Sequence, residues 1–258
     1  MTLEAYALDH DYSEKVSDFE YYSNKRKVKK DRKVRRREQD GLPPLYDITP
    51  MTYAQKQVFE SYNQGCNLML HGCAGTGKTF ISAYLAIRDI MQKVDGKTQL
   101  QIIRSVVPTR DMGFLPGSLA EKAKAYEAPY IPIFADLYGR GDAYEILKKK
   151  TKVNFETTSF IRGLTFDDAI IIVDEAQNLT FHELDSVITR IGDNSRIIFC
   201  GDFTQTDFKW KDEQQGIVDF MRIISKMKSF DSIEFHRQDI VRSELVKDYI
   251  CTKLDLGM

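Results

Sequence analysis

From residue 51 onward the chain alternates between two apolar rhythms. Short apolar runs of strand length recur at residues 66–71, 99–107, 152–157, 169–175, 196–202 and 232–235. Between them, apolar residues return every three or four positions, as on one face of a helix. Phe80, Tyr84, Ile87 and Met91 form one such series, Phe181, Leu184, Ile188 and Ile191 a second, and Ile217, Phe220, Met221 and Ile224 a third; a last helix is expected over 242–253. The unbroken apolar run at 169–173 is that of a strand buried on both faces of a parallel sheet. Ser118 with Glu121, and Thr180 with Glu183, each fit a capping box that opens a helix. Alternating strands and helices with short links predict an α/β domain with a central parallel sheet over residues 51–258. The preceding stretch, 38–50, contains Gly41, Pro43, Pro44 and Pro50 and reads as an extended linker, because proline removes donors and disfavours helix before it.

Composition adds a soluble core and a hidden charge split. Of 258 residues, 42% are apolar and 29% charged, with a net charge of −1. Residues 25–37, KRKVKKDRKVRRR, hold ten basic side chains and one acid, so this run carries +9 and the rest of the chain −10. Residues 1–24 are acidic and contain Tyr6, Tyr12, Phe19, Tyr21 and Tyr22. The chain is therefore read as a charged N-terminal arm and linker, 1–50, followed by the α/β domain. The basic run has three readings, a salt-sensitive contact to nucleic-acid phosphates, a solvated helix, or a tail folded against the acidic residues 1–24. No apolar stretch approaches the ~18–20 residues of a membrane span, and the first residues, MTLEAYALDHD, lack the pattern of a signal peptide. Cys66, Cys73, Cys200 and Cys251 form no CxxC pair, and the four histidines show no ligand spacing. A zinc site or disulfide framework is not expected; reduced cysteines in a cytoplasmic protein are.

The sharpest chemical signal is Gly72-Cys73-Ala74-Gly75-Thr76-Gly77-Lys78-Thr79, a complete G-x-x-x-x-G-K-[ST] phosphate loop between a strand and an amphipathic helix. Its glycines let successive backbone N–H groups turn toward a phosphate, and the helix behind aims its positive end at the same anion. Lys78 supplies a point charge for the β- and γ-phosphates of ATP, and Thr79 a hydroxyl for Mg²⁺. Asp174 and Glu175 end the apolar strand, where ligands of open α/β sheets bind. Asp174 suits Mg²⁺, and Glu175 suits deprotonation of the attacking water. Gln205, after the next strand, is a candidate to hydrogen-bond the γ-phosphate or the water, or is a polar loop residue; Arg242 opens the last helix, either to stabilise transition-state charge or as a surface arginine.

Taken together, GCAGTGKT, DEAQN (174–178), TRIG (189–192), GDFTQTD (201–207), DIVRSELV (239–246) and PTRDMGFLPGSLAEK (108–122) resemble the PhoH family of ATPases. With no accompanying nuclease domain, the short chain looks most like its phage members, which implies a bacterial or phage-infected host cytoplasm. The family is related to superfamily-one helicases, and the resemblance implies a single RecA-like domain, ATP and Mg²⁺ as cofactors, and RNA or single-stranded DNA as partner. YAQKQVF (53–59) is similar to the motif that reads adenine, which points to Gln55. IIRSVVPTR (102–110) and TTSFIRGLT (157–165) resemble strand-end motifs that contact nucleic acid, pointing to Arg104, Thr109, Arg110 and Arg162. Arg162 or Arg190 is the candidate finger reaching a neighbouring subunit's ATP. Related helicases use two such domains where about 208 residues here allow one, so a hexameric ring completing each site in trans is expected. The expected function is ATP hydrolysis coupled to remodelling of, or helicase-like translocation on, the nucleic acid. Its rival is a nucleotide-gated ring-assembly or adaptor protein with little motor activity.

Overall fold

The computed structural model describes residues 41–105, 119–202 and 211–256. The N-terminal arm with its basic run, the Ser118 cap, Thr109, Arg110 and Gln205 lie outside the described residues. Six strands pair edge to edge: β1 (Asn67–Gly72), β2 (Gln99–Arg104), β3 (Val153–Thr157), β4 (Ala169–Asp174), β5 (Arg196–Gly201) and β6 (Phe230–Phe235). All pairings are parallel and the order is β3-β2-β4-β5-β1-β6. This is the α/β, RecA-like arrangement expected from the sequence. Each expected strand is present, with ends moved by a few residues.

The helices are α1 (Tyr53–Asn63), α2 (Lys78–Gln92), α3 (Leu119–Glu127), α4 (Tyr130–Tyr138), α5 (Ala143–Lys149), α6 (Phe181–Ile188), α7 (Lys211–Ile224) and α8 (Glu244–Asp255). The Thr180 capping box forms as expected. The Thr180 hydroxyl accepts from the Glu183 N–H at 3.3 Å, and the Glu183 carboxylate accepts from the Thr180 N–H at 2.9 Å. Helices α4 and α5 were not expected, because Pro129, Pro132, Gly139 and Gly141 break up that stretch of sequence. Pro132 is tolerated because it falls in the first turn of α4, where a backbone donor has no intrahelical partner. Gly139 then ends the helix in the left-handed conformation.

Side-chain alternation along the strands builds two cores. Ile170 and Ile172 of β4 join Leu68, Leu70, Leu100 and Ile102 on the face covered by α1, α2, α4 and α5. Ala169, Ile171 and Val173 join Met69, Ile103, Ile197 and Phe199 on the face covered by α6 and α7. Each of the larger aliphatic side chains contributes about 1.5–3 kcal/mol by leaving water. The proline-rich stretch is extended but packed. Leu42 is fully buried in the first core, with Leu45 and Ile48 against it, and Tyr46 N–H donates to the Leu137 carbonyl at 2.9 Å. The packed chain therefore includes Leu42, ahead of the expected start at residue 51.

The described residues up to Val241 make one compact unit, and those from Arg242 onward belong to a second. In the latter, α8 follows Ser243 and buries none of its residues; Leu245 and Tyr249 are largely exposed.

Candidate nucleotide site

The phosphate loop leaves β1 at Gly72, whose backbone lies against β6. A Cβ there would sit 2.2 Å from the Phe235 carbonyl oxygen, and φ is +106°, so only glycine fits. Cys73 N–H donates to that same carbonyl at 2.9 Å. The loop then curls through Gly75 and Gly77, with φ of 77° and 85°. Thr76 is fully buried, and its hydroxyl donates to the Cys73 carbonyl at 3.0 Å. Lys78 Nζ donates to the carbonyls of Gly72 and Cys73 at 2.8 and 2.7 Å. Burial pushes the Lys78 ammonium pKa below its ordinary value, with Asp202 and Glu175 among the charges that oppose the shift. Burial likewise raises the Cys73 thiol pKa, so it is not an activated thiolate.

Two further segments brace the loop. Gln55 of α1 is buried; its Nε2 donates to the Thr76 carbonyl at 3.0 Å, and its Oε1 accepts from the Met51 N–H at 2.7 Å. Val241 N–H donates to the Gly75 carbonyl at 3.1 Å. Ala74 completes the loop between these anchored positions.

Strand β4 brings its carboxylates to the start of α2. Thr79 Oγ1 donates to Asp174 Oδ1 at 2.7 Å, joining two motifs 95 residues apart. The Tyr130 hydroxyl donates to Asp174 Oδ2 at 2.8 Å. Burial raises the Asp174 carboxyl pKa, while its bonds to Thr79 and Tyr130 oppose the rise. A hydroxyl and a carboxylate side by side are hard oxygen donors that suit Mg²⁺, which keeps most of its shell for water and phosphate. No group of three or more His, Cys, Asp or Glu poised for a metal occurs among the described residues.

Glu175 differs sharply from its neighbour. It adopts the left-handed conformation, φ 52°, unusual for a residue with a Cβ and found preferentially at functional sites. A single 3₁₀ turn, Ala176–Asn178, follows it. Gln177 Nε2 donates to Glu175 Oε2 at 2.6 Å, and Gln177 Oε1 accepts from the Asp202 N–H at 3.0 Å. The end of β4 is thus tied to the end of β5 through one buried amide.

The expected arginines separate. Arg104, at the end of β2, is in register with Asp174. Its guanidinium lies 5.9 Å from the Tyr126 ring and acts electrostatically on Asp174 and Tyr130, placing it beside the carboxylate. Arg162 is exposed on a loop of two successive turns, closed by Phe160 N–H to the Thr157 carbonyl at 2.9 Å and Leu164 N–H to the Ile161 carbonyl at 3.1 Å. Ile161 is fully buried and anchors the loop, whereas Phe160 and Leu164 are exposed beside Arg162. Thr158 Oγ1 donates to Glu183 Oε1 at 2.7 Å, fastening this loop to the cap of α6. Arg190 follows α6; its half-buried side chain has an Nε with no hydrogen-bond partner among the described residues. Arg242 is exposed or nearly so and belongs to the second unit.

Gln177 and Tyr130 were not singled out by sequence reasoning. Gln177 was within reach, as part of the DEAQN segment. Tyr130 was not, since it lies 44 residues from the carboxylate it touches and in no recognised pattern.

The family model described as "PhoH-like protein" matches residues 47–252. The chain belongs to the PhoH-like family. It is similar to Protein PhoH of Escherichia coli (strain K12), with 34% identity over 177 residues covering 67% of this chain and 49% of that protein. It is also similar to a PhoH-like protein of Bacillus subtilis (strain 168), with 32% identity over 204 residues covering 79% of this chain and 63% of the relative. The chain thus spans about half to two thirds of the length of these PhoH relatives. Among solved structures it is similar to the large terminase of a thermophilic bacteriophage in complex with ADP, with 14% identity, a TM-score of 0.47, and coverage of 80% of this chain and 49% of that one. The PhoH-like match includes every described site residue named above.

Proposed function

We propose that this chain is a Mg²⁺-dependent ATPase that couples hydrolysis to binding and remodelling of, or translocation on, RNA or single-stranded DNA. The observation that carries the reading is the Thr79–Asp174 hydrogen bond with Glu175 as the next residue. It joins the three groups that hydrolysis needs beyond simple phosphate binding.

In this reading Lys78 and the backbone N–H groups of residues 72–79 hold the phosphates. Thr79 and Asp174 hold Mg²⁺, which when bound neutralises charge on the β- and γ-phosphates. Glu175 accepts the proton of the attacking water. Gln177 anchors one of its oxygens, which limits how far the carboxylate can turn. Gln205 and Arg242 sense or stabilise the γ-phosphate, a role supported by their sequence motifs. Gln55 retains one amide hydrogen and one lone pair beyond its bonds to Thr76 and Met51, sufficient to recognise a base edge.

Nucleic acid meets the domain at the loop carrying Arg162, with Thr109, Arg110 and the basic run as further contacts. The exposed Phe160 supports this reading, because an aromatic face beside a cation suits an unpaired base and its phosphate. The assembly is a homo-oligomer, a hexameric ring, with Arg162 or Arg190 reaching the neighbouring site; the native mass with nucleotide measures it. The function as a whole is tested by ATP turnover with and without single-stranded RNA or DNA. Stimulation that Glu175→Gln abolishes is expected. No turnover under either condition would overturn the reading in favour of nucleotide-gated assembly.

A further inference from the structure

Both oxygens of Asp174 are held by hydroxyls. Thr79 occupies Oδ1 at 2.7 Å and Tyr130 occupies Oδ2 at 2.8 Å. The first bond joins two recognised motifs, but the second comes from elsewhere. Tyr130 opens α4, is 1% exposed, and packs its ring on Phe155 with centroids 5.7 Å apart. Its hydroxyl reaches the end of β4 because the β2–β3 connection runs through three helices, α3 to α5, while α2 bridges β1 to β2 and α6 bridges β4 to β5.

A buried tyrosine hydroxyl needs an acceptor, and any carboxylate would satisfy it. The choice of carboxylate argues for more. The Asp174 carboxylate turns about a single bond at a strand end, and a donor on Oδ2 sets the angle at which Oδ1 faces Thr79. Groups that orient a metal-holding carboxylate raise metal affinity without touching the metal. Such positioning works best from a rigid element, and Tyr130 sits on a helix buried in the first core.

We propose that Tyr130 is a positioning residue for Asp174, which couples the α3–α5 excursion to the Mg²⁺ requirement of the nucleotide site. The proposal rests on the reading that Thr79 and Asp174 hold Mg²⁺.

Tyr130→Phe in the full chain tests it, because this change keeps the ring and removes the hydroxyl. Binding of a fluorescent ADP analogue is titrated with MgCl₂ and repeated in EDTA, and thermal melting is followed alongside. The variant is expected to need about tenfold more Mg²⁺ for half-maximal enhancement of binding. Its affinity in EDTA should stay within about twofold of the unsubstituted chain, since the Tyr130 hydroxyl donates to Asp174 and not to a phosphate-binding group. In an Asp174→Asn background, Tyr130→Phe should change the Mg²⁺ response no further. A purely structural tyrosine would lower the melting temperature and leave the Mg²⁺ requirement unchanged; that result overturns the proposal. If Tyr130→Phe does not fold, Tyr130→His, which keeps a donor, against Tyr130→Leu, which does not, makes the same comparison. Nucleotide binding indifferent to Mg²⁺ in the unsubstituted chain would instead overturn the reading of Thr79 and Asp174 themselves.

Discussion

The two faces of the sheet hold their polar groups with different bonds. On the face shared with α1, α2, α4 and α5, a buried carboxylate is fixed at both oxygens. Asp174 continues the Ile170–Ile172 side of β4 and is held between two hydroxyls. On the face shared with α6 and α7, the polar groups form a relay of single side-chain bonds. Glu175 meets Gln177, Gln177 meets the Asp202 backbone, and Glu183 joins the α6 cap to Thr158 and the loop of Arg162. In the proposed reading the contrast separates grip from response. A carboxylate fixed at both oxygens suits a constant metal contact, whereas a chain of single side-chain bonds can exchange partners as the nucleotide changes.

The largest break in this contrast is expected from Glu175→Gln. The amide keeps the volume and a bond to Gln177 but cannot accept the water's proton. The turnover number should fall by about 10²–10⁴, with nucleotide affinity changed little, as measured by phosphate release and analogue binding. Loss of both together would show that Glu175 belongs to the grip.

Asp174→Asn probes the other face and should raise stability while abolishing function. Burial raises the Asp174 pKa, so the charged form is disfavoured in the folded chain. A group raised in this way contributes stability below its ordinary pKa and loses it as pH rises through the folded value. Asn removes that penalty, and the Thr79 and Tyr130 hydroxyls can donate to one side of the amide and accept from the other. Thermal melting should therefore show the variant more stable at neutral pH, with the gain fading in acid. Mg²⁺-dependent turnover should be lost throughout.

Thr180→Ala removes the reciprocal cap of α6 on the relay face. A loss of about 1 kcal/mol is typical for such a cap. For one unit of this size that lowers the melting temperature by about 2–4 °C. Nucleotide binding in the locked pocket should not change.

The sequence was most readable where one residue's chemistry is fixed by its immediate neighbours. The phosphate loop, the Thr180 box and the buried run of β4 each depend on residues within one turn or strand, and all appear where expected. Long-range bonds were harder to see. Arg104 was singled out as a nucleic-acid contact, and only the β2–β4 register reveals that it also stands beside Asp174. Tyr130 was invisible because proline and glycine mask its helix and because nothing near it in sequence names its partner. The left-handed Glu175 was also hidden, since a backbone conformation held by surrounding structure leaves no signature in a DEAQ string.

The smallest expected effect lies at the outer end of the relay. Arg162→Ala removes one cation from a loop whose shape is set by Ile161, two turns and the Thr158–Glu183 bond. The loop should therefore persist, and only the contact should be lost. One phosphate fewer on a single strand reduces the steepness of affinity against salt by about 0.7, with a few-fold weaker binding at moderate salt. Phe160→Ala on the same loop should weaken binding with an unchanged salt dependence, because stacking releases no counterions. Measured together by fluorescence anisotropy over a salt series, the pair separates charge from stacking. Equal salt slopes for Arg162→Ala and the unsubstituted chain would remove Arg162 from the nucleic-acid surface and leave it for the neighbouring subunit's site.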